Sequence, residues 1–401
     1  MCEMSDSGIS DKHRSGPIYC FAMANRTVVQ QPLRLENFTE SITNHAVNFI
    51  RQQQQHSNPW FQVVSYFHVH TPLFTMRKNR GRSLGGEFGD NVEEMDDSVG
   101  RVLEVVEETK QTNNTIIFLL SDNGPYQEEG YQKCGRSNVY DDETGEFLGR
   151  LRGGKGQVFE GGIRVPGIVV YPNITSPGSV SNVFVSSLDI FPTILSAAEI
   201  KAKFINNNYT IDGKDMTPVL RGEQMTQHEI FFHYCGFEIV AARVRGRFKV
   251  FWAKQIWYTH DEKNESICIE CCNGANPYSK IITGTVASEL CGCEQKDLFY
   301  VDEVEVYDMV NDPFESNPLT SKSVWPDDTN TTYKDIVGIA NEARDKMLKD
   351  FDPQPNHQGA GTCTAGYPKA SRQPCCPGCR QLIPAVGVCR KDGVLGECRC
   401  G

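Results

Sequence analysis

Three short stretches of the sequence hold side chains whose types and spacing suit catalysis or ligand binding. One contains the adjacent oxygen donors Asp122 and Asn123, another contains His68 and His70, and the third places Lys155 in a glycine-rich loop. Carboxylate and amide oxygens are the ligands that hard cations such as Ca²⁺ and Mg²⁺ prefer. A histidine suits proton transfer or contact with an anion, and a lysine suits an oxyanion.

Each stretch also has a plainer interpretation, and the residues alone leave both open. Asp-Asn-Gly favours a turn, although no second β-rich run follows Gly124 to complete a hairpin. His68 and His70 point the same way from an extended run, but a third zinc ligand at strand spacing is absent. One of them in acid–base or anion contact is favoured over a metal pair, and either one could be structural. Lys155 could lie solvated in a flexible loop, which is not a P-loop because Gly follows the lysine.

The elements around these stretches predict a layered α/β domain. Apolar residues recur at helical spacing over 36–54 and 88–106, and continuous apolar runs at 60–67 and 115–120 are typical of buried strands. Helix–strand–helix–strand with uninterrupted apolar strands predicts a parallel sheet with helices on both faces. Ligands collect beyond the carboxyl ends of such strands, where the histidines and the Asp-Asn pair stand.

The later part of the chain predicts a smaller, different architecture. A strand at 167–171 and a helix at 190–198 continue the first pattern. Beyond about residue 227 the sequence predicts antiparallel strands and a last helix, at 231–234, 241–252, 304–307 and 333–348. We therefore predict a partial catalytic α/β domain over 1–226, a C-terminal subdomain with a cysteine-rich insertion over 227–350, and a disulfide-stapled tail over 351–401.

Composition excludes several classes of protein. The net charge is −11 and no long Lys/Arg run is present, which argues against a nucleic-acid binder. No stretch approaches 18 consecutive apolar residues, so we expect no membrane-spanning segment. Hydrophobic residues make up 39% of the chain, enough for a folded core. The oligomeric state cannot be inferred from the sequence.

Cysteines and glycosylation sequons indicate the secretory pathway. The chain has 16 cysteines, clustered between Cys268 and Cys293 and between Cys363 and Cys400, and seven Asn-X-Ser/Thr sequons. This combination favours an oxidising, glycosylating compartment: lysosome, endoplasmic reticulum or extracellular space. Structural disulfides are favoured over zinc for the two C-x-x-C pairs, and their connectivity stays open. The first residues do not form a signal peptide, so we expect that the natural N-terminus is missing from this chain.

Several spaced motifs resemble the sulfatase family, and the steryl-sulfatase and arylsulfatase branch most of all. The resemblance rests on residues 65–71, 121–124 and 153–166, with further matches between Cys20 and Thr320. It implies an alkaline-phosphatase-like α/β domain with a small C-terminal subdomain. It also implies that Asp122 and Asn123 are calcium ligands, that Lys155 contacts the sulfate group, and that His70 lies next to the leaving-group oxygen. The substrate implied is a sulfate ester, either a small molecule or a glycan.

One part of the family pattern is absent from this sequence. The family's nucleophile is a formylglycine made from a Cys/Ser-x-Pro-x-Arg motif, and no cysteine or serine here has that spacing. The family's first pair of calcium ligands, two adjacent Asp just after the first strand, is absent too, and Asp96 and Asp97 cannot replace it because they lie inside a predicted helix. We therefore expect the parent protein to be a calcium-assisted sulfatase and this chain alone to be inactive, since Ca²⁺ takes 6–8 ligands.

Two other functions remain compatible with the residues. The first is a catalytically dead, sulfatase-like secreted binding protein. The second is a phosphodiesterase or phosphatase of the same fold, which would use Thr or Ser as nucleophile and usually two zinc ions. The single Asp122–Asn123 pair with Lys155 favours sulfate over phosphate.

Overall fold

A computed structural model gives the fold and describes residues 22–31, 33–125, 140–141, 146–147, 151–200, 211–255, 298–326, 331–350, 390–391 and 394–395. The predictions for the cysteine-rich insertion and for the disulfide tail fall outside these residues, apart from two short strands. The chain divides into two compact units, Met1–Val105 with Pro353–Gly401 and Val106–Asp352. The second unit spans the boundary predicted at 226/227, and the three-part division stays a prediction.

The regular elements of the described residues are numbered in chain order. The helices are α1 (Phe38–Gln53), α2 (Gly86–Glu108), α3 (Glu160–Ile163), α4 (Ile190–Ala197), α5 (Thr217–Leu220) and α6 (Tyr333–Asp350). The strands are β1 (Ala22–Ala24), β2 (Thr27–Gln30), β3 (Ile117–Leu120), β4 (Tyr140–Asp141), β5 (Glu146–Phe147), β6 (Gly167–Val170), β7 (Ile230–Cys235), β8 (Glu238–Val244), β9 (Phe248–Gln255), β10 (Leu298–Asp308), β11 (Arg390–Lys391) and β12 (Val394–Leu395).

Helices α1 and α2 confirm the two amphipathic helices predicted from apolar spacing. Helix α1 buries one stripe that includes Ala46, Val47 and Ile50, as the helical period requires. Polar contacts join α1 to α2: Arg101 donates from Nη1 to Glu40 Oε2 at 3.1 Å and from Nη2 to Asn44 Oδ1 at 2.6 Å. Helix α1 therefore buries an apolar stripe, and polar side chains beside that stripe join it to α2.

Strand β3 confirms the predicted strand near residues 115–120, but its pairing is antiparallel rather than parallel. It pairs with β6 in the register Leu120↔Gly167 to Ile117↔Val170. Before β6 begins, the chain returns to the carboxyl end of β3. There Gly124 N donates to Gly162 O at 2.8 Å. Strand β6 therefore starts where β3 ends and runs back along it. All sheet pairings among the described residues are antiparallel, so the parallel sheet is not among them.

The prediction of a strand at 60–67 is wrong. These residues form no strand, and Phe61 and Val63 are 67% and 71% exposed. A strand requires ladder hydrogen bonds to a neighbour, and apolar composition alone does not supply one. The apolar run identifies surface that a sheet could bury, but it does not specify the partner.

The C-terminal sheet confirms the predicted antiparallel architecture. Its strand order is β10-β9-β8-β7, with α6 against one face. The run predicted at 241–252 divides into β8 and β9 at a tight turn, where Arg245 and Gly246 have φ values of 51° and 70°. The other face buries Val158 and Phe159 from the glycine-rich loop. This packing brings the Lys155 loop onto the C-terminal sheet within one unit.

No helix among the described residues is long and apolar enough to cross a lipid bilayer.

Candidate active site

Asp122 and Asn123 lie immediately after β3, where the sequence predicts them. Asp122 Oδ1 accepts from Asn123 N at 2.9 Å and from Asn123 Nδ2 at 3.0 Å. Ser121 Oγ donates to Asn123 O at 3.0 Å and closes the turn. These local hydrogen bonds form a bend after β3, and they are compatible with both the turn and the metal-ligand interpretation. Because Asn123 Nδ2 faces Asp122, the oxygens that this turn leaves for a cation are Asp122 Oδ2 and Asn123 Oδ1.

The glycine-rich loop folds directly against this turn. Lys155 N donates to Pro125 O at 2.9 Å. The backbone of Lys155 therefore contacts the residue that lies two positions after Asn123. The loop is internally braced by Gln157, whose Oε1 accepts from Gly154 N at 2.8 Å. Gln157 is 2% exposed. Lys155 therefore sits on an ordered loop, which contradicts the interpretation as a flexible surface segment.

Two glycines permit the close approach of these backbones. A Cβ on Gly124 would lie 1.8 Å from Gly161 O, and a Cβ on Gly161 would lie 2.2 Å from Gly153 O. Any side chain larger than hydrogen would displace the backbone at either position. The high glycine content of residues 153–162 is thus explained by contact between backbones.

The two histidines have different environments. His68 is 8% exposed, and its Nε2 lies 2.9 Å from Thr39 Oγ1 and 3.2 Å from Glu94 Oε1. His68 is therefore the structural histidine. His70 is exposed, and its Nδ1 donates to the carbonyl oxygen of Thr71 at 2.6 Å. A carbonyl can only accept, so the proton stays on Nδ1 and any proton that His70 exchanges is held on Nε2.

The structure brings the backbones of two predicted site segments into contact. Lys155 N donates to Pro125 O, two residues after Asn123, and Gly124 N donates to Gly162 O. The convergence of the Asp122, Asn123 and Lys155 side chains stays a prediction. His70 belongs to the other compact unit, and its convergence with them stays a prediction. Within the part of the chain that the structure describes, no group of three or more His, Cys, Asp or Glu side chains could hold a metal ion. The oxygen donors after β3 fit a hard cation, but they supply only part of its ligand set.

Sequence reasoning missed a group of buried charges behind the loop. Lys249 Nζ lies 3.0 Å from Glu160 Oε1 and 2.8 Å from Glu315 Oε1, and Arg243 Nη2 lies 2.8 Å from Glu160 Oε1. We call Glu160, Arg243, Lys249 and Glu315 the buried charge cluster; all four are at most 5% exposed. A sequence signal was present, since Lys249 interrupts an apolar strand and a buried lysine requires a partner.

Electrostatics in the cluster follow from burial and close charges. Burial alone would raise the pKa of Glu160, but the charges of Lys249 and Arg243 outweigh it and lower that pKa to about 2. Burial raises the pKa of Glu315, and the charge of Lys249 opposes this only in part. Burial, together with Lys249 and Arg243, lowers the pKa of His233 well below its usual range, so His233 is neutral.

Sulfatase family models match most of the sequence. The sulfatase model matches residues 9–200, and the model for the C-terminal region of aryl-sulfatase matches residues 226–384. A crystal structure of a sulfatase from Pseudoalteromonas sp. superposes with a TM-score of 0.60 at 20% identity, covering 81% of this chain and 57% of that one. The fold is therefore the alkaline-phosphatase-like fold of sulfatases.

Curated relatives agree with the family models. Human steryl-sulfatase is 32% identical over 345 residues, covering 86% of this chain and 54% of its own length. Arylsulfatase H of Canis lupus familiaris is 31% identical over 94% of this chain and 60% of its own. An arylsulfatase of Hemicentrotus pulcherrimus is 32% identical over 89% and 60%. The chain thus spans 54–60% of the length of these relatives. Because both family models match in order and curated sulfatases are 31–32% identical over 86–94% of the chain, the chain belongs to the sulfatase family.

Proposed function

We propose that the intact protein hydrolyses a sulfate ester with the help of Ca²⁺. Asp122 and Asn123 contribute two of the calcium ligands, Lys155 contacts the sulfate group, and His70 stands at the leaving-group oxygen. The support is the residue-by-residue match to the family motifs together with the arrangement around β3. Steryl-sulfatase and arylsulfatase relatives make an alcohol or phenol sulfate the expected class of substrate.

One observation carries the proposal: the anchoring of the Lys155 loop on the Asp-Asn turn. The backbone bonds Lys155 N→Pro125 O and Gly124 N→Gly162 O, at 2.9 and 2.8 Å, join the loop that carries Lys155 to the segment that follows Asp122 and Asn123, which supports a shared role for these residues. A sulfate monoester has an anionic sulfuryl group whose oxygens need both a cation and a hydrogen-bond donor. Fixed charges aimed at developing negative charge are the largest contribution in most such sites.

The roles of the side chains follow from the charge that the reaction creates. Cleavage of the sulfur–oxygen bond leaves an alkoxide or phenoxide on the departing oxygen. Lys155 neutralises charge near that oxygen, and His70 supplies a proton to it from Nε2, since Nδ1 is committed to Thr71 O. Bound Ca²⁺ would polarise the sulfuryl oxygens.

We further propose that the nucleophile and the remaining calcium ligands lie on a segment that this chain does not contain. The support is the absence of a Cys/Ser-x-Pro-x-Arg motif anywhere in the sequence and the 54–60% coverage of the curated relatives. The chain alone would then be inactive.

The test compares two substrates with the full-length protein, purified from a eukaryotic secretory host. Nitrocatechol sulfate should be hydrolysed and nitrophenyl phosphate should not. Lys155→Ala should lower kcat/KM for the sulfate by about 10²-fold or more, as for loss of one charge-stabilising donor. The matched control is Lys346→Ala, an exposed lysine on α6, which should leave activity unchanged. Preference for the phosphate, or no hydrolysis by a protein that carries the nucleophile motif, would overturn the proposal.

We also propose a secretory location with N-linked glycans. The support is the exposure of the sequon asparagines that the structure describes, Asn25, Asn37, Asn113 and Asn173. Asn25 and Asn173 lie in turns with positive φ, where a glycan would project from the surface. Expression in a eukaryotic secretory host should give a protein whose mass falls on treatment with peptide N-glycosidase. An unchanged mass would exclude this location for the expressed protein.

A further inference from the structure

The buried charge cluster lies directly behind the Lys155 loop. Glu160 begins α3, five residues after Lys155, while Lys249 and Arg243 project from β9 and β8. Glu315 lies in the segment after β10, and its Oε2 accepts from Glu160 N at 2.7 Å. The cluster thus connects the C-terminal end of the loop to the C-terminal sheet.

The N-terminal end of the loop is tied to the same place. Arg152 Nη1 donates to Glu315 O at 2.9 Å, and the guanidinium stacks over the Phe159 ring at 4.2 Å from its centroid. Phe159 is fully buried and stacks on Phe251 of β9 at 4.8 Å. Both ends of the segment that carries Lys155 therefore contact Glu315.

Stability alone is a poor explanation for this cluster. Removing four charges from water costs several kcal/mol per ion, and well-packed apolar residues of similar volume often give equal or greater stability. The cluster holds two cations and two anions, so it is balanced while all four are ionised. What an apolar core would not provide is directional contact that fixes the loop in one position.

We propose that Lys249 and Glu315 are positioning residues for Lys155: the buried charge cluster holds the loop at both ends so that the lysine presents its ammonium group at a fixed place. They act through the loop and do not touch the substrate. This inference rests on the proposed function of Lys155 for its catalytic consequence, and it can be tested separately on the loop itself.

The first experiment measures amide hydrogen exchange of the loop in the 401-residue chain. Lys249→Met removes one cation and leaves Glu160 and Glu315 competing for charge compensation. The Glu160 and Gly161 amides, which donate to Glu315 Oε2 and Arg152 O, should exchange at least about tenfold faster, while those of β7 and β8 change less. Arg245→Met, which removes the exposed Arg245–Glu229 pair away from the buried charge cluster, is the matched control.

A charge-balanced double variant covers the case in which Lys249→Met fails to fold. Lys249→Met with Glu315→Gln removes one charge of each sign and leaves the Arg243–Glu160 contact in place. It should fold. Relative to the original protein, its loop amides should exchange faster by a larger factor than its sheet amides. Equal acceleration of loop and sheet amides, or no acceleration in the loop, would overturn the proposal and leave the cluster with a structural role only.

The second experiment separates this inference from the proposed function. In the full-length protein, the double variant should lower kcat for nitrocatechol sulfate by about tenfold or more with a smaller change in KM, because the lysine acts mainly in the transition state. The single variant Lys249→Arg, which keeps the cation, should lower kcat less than the double variant does. If Lys155→Ala leaves sulfate hydrolysis unchanged, the proposed function fails, while loop exchange still decides the positioning role. An unchanged kcat in the double variant, with Lys155→Ala inactive, would overturn the positioning role alone.

Discussion

Two histidines two residues apart illustrate how burial decides the role of a side chain. His68 contacts Thr39 and Glu94 in the interior, whereas His70 is exposed and donates from Nδ1 to the carbonyl oxygen of Thr71. An extended run points both side chains the same way, so the sequence alone could not distinguish them. The distinction came from the family resemblance, and the environment of His68 agrees with it.

Replacing Gly124 directly tests the close contact between the turn after β3 and the glycine-rich loop. In Gly124→Ala the new Cβ would meet Gly161 O at 1.8 Å, so the turn or the loop must move. We expect the free energy of unfolding to fall by about 1–3 kcal/mol, as for overpacked sites. Urea unfolding followed by circular dichroism measures the change.

The matched control for this substitution is Gly167→Ala in β6. Its Cβ would meet nothing within 4 Å, so the variant should stay within about 0.5 kcal/mol of the original protein. Equal stability of the two variants would show that the close contact between turn and loop is not rigid.

The candidate site could be predicted from sequence where its chemistry is concentrated in short motifs. Asp122, Asn123 and Lys155 stand out by residue type and by their position after a strand or within a glycine-rich run. The buried charge cluster could not be predicted in the same way, because Glu160, Lys249 and Glu315 are distant in sequence. Only the fold shows that their opposite charges meet.

At the scale of elements, a single carboxylate ties a loop to a helix in the first unit. Glu94 of α2 accepts from Met76 N at 2.7 Å and from Asn79 Nδ2 at 2.8 Å. Its other oxygen lies 3.2 Å from His68 Nε2. Burial alone would raise the pKa of Glu94, but these hydrogen bonds outweigh it and lower the pKa. The helix thus orders the segment that leads away from His70.

Glu94→Ala should therefore destabilise the first unit strongly. It leaves the buried Asn79 amide and the Met76 N–H without this acceptor, at a cost of about 3 kcal/mol. The control is Glu93→Ala, since the Glu93 side chain is partly exposed and lies 3.5 Å from Arg82 Nε, a pair worth less than about 1 kcal/mol. Denaturant unfolding of both variants provides the measurement, and a small loss in Glu94→Ala would argue against the described network.

The ionised state of Glu160 makes the second unit sensitive to acid. The pKa of Glu160 is about 2 in the folded protein against an ordinary value of 4.5. As pH falls below 4.5, the unfolded chain takes up this proton first, so folding stability is lost progressively toward pH 2. The full difference corresponds to about 3 kcal/mol.

Comparing the stability of Glu160→Gln with that of the original protein should isolate the contribution of the Glu160 carboxylate. At pH 7 the variant should be less stable than the original protein, and the difference should shrink as pH falls from about 4.5 toward 2. Glu315 has the opposite sign, because its raised pKa favours the folded state at low pH and this contribution is lost as pH rises. Unfolding curves at several pH values measure the trend, and a difference that stays constant down to pH 2.5 would contradict it.

Element prediction succeeded where the periodicity is long and failed where pairing decides the outcome. Helices α1, α2 and α6 were predicted to within about two residues at each end, as amphipathic periodicity allows. The run at 60–67 has the composition of a strand, but no ladder partner gives it that structure here. The direction of the β3–β6 pairing depends on where the intervening loop returns, and composition carries no information about that.

At the scale of the whole molecule, the predicted site residues belong to two different compact units. Asp122, Asn123 and Lys155 lie in the unit that runs from Val106 to Asp352, and His70 lies in the other. The Lys155 loop also shares its core with the C-terminal sheet, through Phe159 and Phe251. The C-terminal region is therefore part of what supports the loop, although motif analysis assigned it no role in the site.

The 401-residue chain by itself should bind Ca²⁺ only weakly and should be inactive. Asp122 and Asn123 offer two oxygen donors where Ca²⁺ takes about 6–8, and water must supply the others. Affinity falls as protein ligands are lost, because each water replaces a charged or preorganised oxygen. Isothermal titration calorimetry should therefore give a dissociation constant weaker than micromolar, and nitrocatechol sulfate should not be hydrolysed. Asp122→Ala should abolish whatever weak binding remains. Micromolar or tighter binding that depends on Asp122 would mean that this chain completes the calcium site from its own residues, and the segment proposed to supply the other ligands would then be unnecessary for metal binding.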